Sequence, residues 1–270
     1  MTTLAAPSSD LPVDTVIDAL LATAADTRPF VAALAPSDLT VTSGAVDWTV
    51  AAALSHLGSS AQIWLAQLES GLRSEPASGE LGPPIWEHWD ALDPEEQRAE
   101  FMAASGELLD RVAGLDRMTR STAQVQLPYL PEPIDLATFV YMRLAEVALH
   151  SWDVRVAFDP QARLFPAAAT ALIDWASPFF GYYAKPDAID REVTLILDLT
   201  DPVRTKAVHI GARSAIVDPT NEADGLLHAP AEAWLRLVAG RLAPARTPAD
   251  VALVADGISL DDLRRVFPGY

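Results

Sequence analysis

The chain has 270 residues, half of them hydrophobic, and a formal net charge of -18. That is chain enough for one large domain or two modest ones, with apolar material for a substantial core, which excludes an intrinsically disordered protein. The acidity makes nucleic-acid backbones and anionic lipid surfaces poor partners, and the absence of cysteine excludes disulfides, a cysteine nucleophile and cysteine metal ligands.

The charge is uneven. Residues 1–160 hold 23 acids and 8 bases, and residues 161–270 hold 14 and 11. The first twelve residues, MTTLAAPSSDLP, have neither a basic nor an apolar signal-peptide region, and no uncharged stretch is long enough to span a bilayer. The expectation is a cytoplasmic protein, a monomer or a weak homodimer.

A first helix is expected over residues 12–35. Asp10 or Leu11 precedes it, Pro12 suits an early helical position, and Val13, Ile17, Leu20, Leu21 and Ala24 form an apolar stripe. A second is expected over 49–72, capped by Thr49, with Leu54, Leu57, Ala61, Trp64 and Leu68 at helical spacing and Gly71 as a stop. The third has the clearest start: Asp93 can cap, Pro94 fits the first position, and Glu95 and Glu96 face the positive end of the dipole. It ends near Gly114. The fourth runs from a cap at Asp135 to about 158 and is apolar nearly all round, the mark of a central, buried helix.

Four such helices argue for an antiparallel bundle over residues 1–160. The connections at 73–92 and 115–134 are long and rich in Pro and Gly, and long loops often lie over a site. Residues 161–270 read as a small α+β domain. A helix is expected at 166–180, strands at 191–199 (alternating REVTLILDL), 206–211 and 250–255, and helices at 230–240 and 260–266. There is no internal repeat.

The fourth helix carries the chemistry. Glu146 and His150 are four residues apart and share one helical face. Inside so apolar a helix they need partners, because unpaired buried charge is costly. His56, on the second helix, could join them. Two histidines and a glutamate are a donor set used by catalytic zinc, which leaves one coordination position open. The plainer alternative is a Glu–His pair and a hydrogen-bonded core histidine. Asp153 could orient His150 from behind or end the helix in a salt bridge. Arg143 could neutralise Glu146, bind an anionic substrate, or form an ordinary i,i+3 pair. His88, His209 and His228 are read as structural, and Trp48 and Trp152 as packing. There is no HExxH signature, P-loop, Gly-rich dinucleotide turn or nucleophile elbow.

Asp47-Trp48-Thr49-Val50 followed by Leu54-Ser55-His56-Leu57 resembles the "G-W-T-V…H-L" segment of the mycothiol-dependent maleylpyruvate isomerase family, related to DinB-like bundles. Glu146-x-x-x-His150-Ser-Trp152-Asp153 resembles its "E-x-x-x-H-x-W-D" signature, and Trp234-Leu235 through Gly240-Arg241 resembles the "W-L…G-R" helix of its sterol-carrier-like second domain. Asp47 stands where glycine is usual. The resemblance implies that His56, Glu146 and His150 bind a divalent metal, zinc in the first instance. It also implies that mycothiol is the cosubstrate and that Arg241 pairs with a substrate carboxylate. The function it implies is activation of a thiol for attack on a small electrophile, as an isomerase or S-transferase. The alternatives are a metal-dependent hydrolase using activated water, a non-catalytic ligand-binding protein, and a metal-free bundle.

Overall fold

The computed structural model describes residues 12–75, 80–175 and 180–269. Asp10, Leu11 and the segment 176–179 of the expected 166–180 helix lie outside them. Four long helices form the first part: α1 (Val13–Ala32), α2 (Val50–Leu72), α4 (Pro94–Ala113) and α6 (Leu136–Arg155). A short α3 (Gly82–Asp90) precedes α4, and α5 (Arg117–Thr122) with a two-residue hairpin of β1 (Gln124–Val125) and β2 (Ile134–Asp135) precedes α6.

Local chemistry sets three of the starts. The Thr49 hydroxyl accepts from the Ala52 N–H at 3.1 Å. Asp93 accepts from Glu95 and Glu96 while Glu96 reaches back to the Asp93 N–H, a complete capping box. Asp135 accepts from Thr138 N–H at 2.7 Å. Each cap satisfies donors that a helix end leaves orphaned, worth about 1 kcal/mol per cap.

The helices close a ring in which α2 packs on α4 and α6, and α1 packs on α6 and α4. Ile17, Leu20, Leu54, Leu57, Leu68, Leu108, Phe139 and Leu144 are buried inside it, each stabilising by about 1.5–3 kcal/mol relative to exposure. As its composition predicts, α6 is buried on nearly every side, including Arg143, His150 and Asp153. The four-helix bundle read from the sequence is the observed one.

Some local expectations change. The first helix ends at Ala32, and Pro36–Thr40 forms a separate 3-10 turn. Gly71 does not stop α2. A Cβ there would lie 2.6 Å from the Gln124 carbonyl, so glycine is needed for the close approach of β1. The 73–92 connection contains α3, whose Trp89 is buried and donates from Nε1 to Gln62 Oε1 at 3.0 Å. Gly58 of α2 admits that indole, since a Cβ would sit 2.0 Å from the ring.

The chain divides into two compact units between Ala168 and Ala169. The second holds α7 (Pro166–Asp174) from its fourth residue, α8 (Phe180–Tyr183) and a five-stranded sheet of order β5-β4-β3-β6-β7. Its strands are β3 (Val193–Thr200), β4 (Arg204–Ile210), β5 (Ala215–Val217), β6 (Gly225–Pro230) and β7 (Ala252–Ala255), with β3 and β6 parallel and the other pairs antiparallel. Val193, Leu195, Leu197 and Leu199 alternate inward, as the REVTLILDL pattern requires. Helices α9 (Ala231–Val238) and α10 (Leu260–Val266) add Trp234, Leu237, Leu263 and Val266 to this core. The mixed α+β second part agrees with the sequence reading, which did not foresee β5 or β6.

Candidate metal centre

His56 lies near the start of α2, and Glu146 and His150 lie one turn apart on α6. Because the two helices are neighbours, the three side chains meet. His56 Nε2 is 3.1 Å from Glu146 Oε2, and His150 Nε2 is 3.6 Å from the same oxygen. The two imidazoles meet edge-to-face with centroids 4.7 Å apart. One donor atom from each residue lies within 4.8 Å of the others. His150 is nearly closed to solvent, whereas the His56 side chain is 37% and that of Glu146 25% exposed, so the cluster opens on their side.

This donor set fits a divalent ion on two grounds. Ligands about 2.0–2.2 Å from a tetrahedral centre stand about 3.4 Å from one another, and the two separations from Glu146 bracket that value. The second ground is the proton on His150. Asp153 Oδ2 is 2.9 Å from Nδ1, and a carboxylate in ionised form there, which can only accept, selects the tautomer with hydrogen on Nδ1. In the neutral ring, Nε2 then presents a lone pair toward the Glu146 carboxylate. Two acceptors would then face each other, an arrangement that a cation between them, a proton or a metal ion, resolves. The carboxylate–histidine relay is the usual support of a ligating imidazole.

The charge of Glu146 is secure. Burial acts to raise its carboxyl, but the His56 hydrogen bond and the charges of His150, His56 and Arg143 outweigh it and hold the carboxyl at about 2. Arg143 is itself buried, which pushes its guanidinium down to about 10 against the opposing pull of Glu146, so it remains charged at neutral pH. Its Nη1 donates to Ser60 Oγ at 2.7 Å and its Nη2 to the Leu57 carbonyl at 2.9 Å. Arg143 therefore ties α6 to α2 beside the cluster, and its charge also acts on Glu146.

Trp152 is the packing residue expected: it is buried and donates to the Ala162 carbonyl at 2.8 Å. Trp48 packs on the cluster itself. Its ring stacks on His150 (5.7 Å, 21°) and lies against His56 (5.0 Å, 48°). No periodicity marks a residue in an irregular loop, so spacing gave no sign of this; its place in the Trp48-Thr49 start of α2 was the available hint. His88, His209 and His228 sit against Glu100, Thr194 and Asp198 respectively. Arg241 belongs to the second unit, just past α9 and the positive-φ Gly240, where its Nη1 donates to the Ala239 carbonyl at 3.0 Å.

The class so defined is a helical bundle that gathers a His–Glu–His donor set on two neighbouring helices, followed by a small α+β unit. Residues 20–155 match the family model described as the mycothiol maleylpyruvate isomerase N-terminal domain. The match spans half of the chain, which belongs to this family of enzymes. Solved structures share the fold across both units. One is a crystal structure of the mycothiol-dependent maleylpyruvate isomerase, 14% identical with a TM-score of 0.65, the match covering 96% of this chain and 98% of that one. Another is a histidine-to-alanine mutant of the mycothiol-dependent maleylpyruvate isomerase, 13% identical with a TM-score of 0.63 and the same coverage. No curated protein matches the sequence significantly. Among the described residues, no helix is long and apolar enough to cross a membrane.

Proposed function

We propose that the protein is a divalent-metal-dependent, mycothiol-using enzyme that delivers a thiolate to a small, carboxylate-bearing electrophile. The observation that carries this reading is the convergence of the His56, Glu146 and His150 donor atoms from two helices. Those three residues hold the ion, and Asp153 fixes the tautomer and ring orientation of His150. When bound, the ion, zinc in the first instance, supplies the positive charge that keeps a thiol deprotonated at neutral pH. A two-histidine, one-carboxylate set leaves room for an incoming ligand, and the exposed edges of His56 and Glu146 give that ligand its approach. The chain supplies no thiol of its own, having no cysteine. Arg241 holds the acid end of the acceptor, for which a guanidinium has matching geometry.

The reaction class follows from the acceptor. Addition of the thiolate to a conjugated double bond moves the electron pair onto the adjoining carbonyl and leaves a single bond free to rotate. Return of the pair expels the thiolate and restores the double bond as its isomer. A transferase stops at the protonated adduct. Isomerisation is favoured here, because the family model and the solved relatives carry that activity in their descriptions. Maleylpyruvate is therefore the first acceptor to assay.

The test uses full-length chain purified without a histidine tag. Elemental analysis should give close to one equivalent of divalent metal, lost in His150→Ala, and turnover should require added mycothiol. Unchanged metal in His150→Ala would overturn the site. A rate indifferent to thiol would convert the reading to a hydrolase.

A further inference from the structure

The loop 41–49, which leads into α2, is folded back on itself and fastened to α6. Ser43 N–H donates to the Trp48 carbonyl at 2.8 Å, Val50 N–H to the Val41 carbonyl at 2.8 Å, and Thr42 pairs with Thr49. Between these ties, Gly44 N–H donates to the Asp153 carbonyl at 2.7 Å. A Cβ on Gly44 would lie 2.8 Å from Asp153 Cα and 2.7 Å from Val156 Cγ1, so only glycine lets the loop come this close. Asp47 adopts φ +64 and reverses the chain so that Trp48 turns inward while Val46 stays 83% exposed. The loop is thus clamped to the residue that grips His150, and it carries the indole that touches both histidines.

Imidazole rings need such support. The terminal torsion of histidine is broad, and a donor nitrogen is useful only when its ring plane is fixed. His150 has two restraints, the Asp153 carboxylate on one edge and the nearly parallel Trp48 face. His56 is the more exposed ring and rests on Trp48 and the edge of His150. The near-parallel face of Trp48 holds the plane of the His150 ring, its tilted contact bounds the His56 ring, and both leave the in-plane nitrogens available, which an additional hydrogen bond would not.

We propose that Trp48 is a positioning residue of the metal centre: its indole holds the two imidazoles in the planes at which their Nε2 atoms face Glu146. The proposal rests on reading His56, Glu146 and His150 as a metal site. It adds that the site's geometry is built by the loop as much as by the helices.

The experiment titrates metal-free, full-length chain with Co²⁺ and follows visible absorption, whose intensity reports coordination geometry. Wild type is compared with Trp48→Phe and Trp48→Leu, with far-UV circular dichroism of each metal-free protein as the check on folding. Phe keeps a flat face and Leu keeps apolar bulk without one. The expected result is Co²⁺ affinity in Trp48→Phe close to wild type, and in Trp48→Leu lower by about 10- to 100-fold, the range for losing a support of a ligating histidine, with weaker visible bands. Equal affinity and equal spectra for folded Phe and Leu variants would overturn the positioning role while leaving the metal site intact. If Trp48→Leu fails to fold, a Trp48→Phe spectrum matching wild type at undiminished affinity supports the role of the flat face, and a collapsed one overturns it. Absence of Co²⁺ binding by wild type would instead overturn the metal reading on which the proposal stands.

Discussion

Asp153 has no exposed surface, and its carboxylate oxygen Oδ2 faces His150 Nδ1 at hydrogen-bond distance, 2.9 Å. A buried carboxylate is retained only where its partners repay the loss of water. Here His150 is one of those partners, so the residue links stability to metal binding. Asp153→Asn keeps the volume and removes the charge that favours hydrogen on Nδ1. The expected outcome is a folded protein whose zinc affinity, measured by chelator competition, is lower by about 10- to 100-fold. An affinity equal to wild type would mean that His150 does not depend on its rear partner.

Glu146 gives a prediction in pH. Its carboxyl sits at about 2 in the folded chain against an ordinary 4.5. A carboxyl held low favours the folded state wherever it is ionised, so its contribution is complete above about 4.5 and fades as the pH falls toward 2. Denaturant unfolding of the metal-free chain should therefore show stability dropping with acidification across that window, and Glu146→Gln should drop less steeply. Parallel profiles for the two proteins would show that Glu146 gains nothing from its surroundings in the fold.

Much of this architecture is legible in the chain. Thr49, Asp93 and Asp135 are caps because a short oxygen-bearing side chain precedes an apolar run, and that chemistry is local. The Glu146–His150 spacing is local as well, and the burial of α6 follows from its composition. What escaped has partners distant in sequence. β6 becomes a strand because β3 and β7 flank it, and its last residue, Pro230, is also the first of the helix expected over 230–240. Helix α3 is held by Trp89 against Gly58, which no periodicity in residues 73–92 announces. Trp48 acts through a loop whose shape depends on Gly44 and Asp153 lying 109 residues apart.

Gly58→Ala tests one of those distant contacts. The added methyl would meet the Trp89 ring at 2.0 Å, and that ring is buried. Overpacking costs about 1–3 kcal/mol, of which the better helix propensity of alanine returns about 1 kcal/mol. A net loss of up to about 2 kcal/mol is expected in denaturant unfolding, together with a change in Trp fluorescence. An unchanged or raised stability would show that α3 can shift without cost.

Arg143→Met asks whether the guanidinium bridge is structural. The change keeps a long apolar stem and removes the donors to Ser60 Oγ and the Leu57 carbonyl. Losing hydrogen bonds from a buried charged group costs about 1.5–3 kcal/mol apiece, partly recovered by sparing the charge its burial. A net destabilisation of about 2–3 kcal/mol is expected. Because Arg143 is committed to α2, KM for the acceptor should stay within about twofold of wild type in the variant that remains folded. A KM raised tenfold, with little change in stability, would return Arg143 to the role of an anion-binding residue.

Arg241 carries the opposite expectation. It is proposed to meet the substrate carboxylate, and it belongs to a different compact unit from His56, Glu146 and His150. Arg241→Ala should therefore leave zinc content unchanged. It should lower kcat/KM for a carboxylate-bearing acceptor by about 10- to 100-fold, the size of a charge-assisted pair worth about 1.5–3 kcal/mol. The decisive comparison is a neutral ester of the same acceptor. If Arg241 grips the acid end, the ester is turned over equally by wild type and variant, and the ratio of acid to ester rates collapses in the variant. If acid and ester lose activity in parallel, Arg241 acts through the fold and another group must hold the carboxylate.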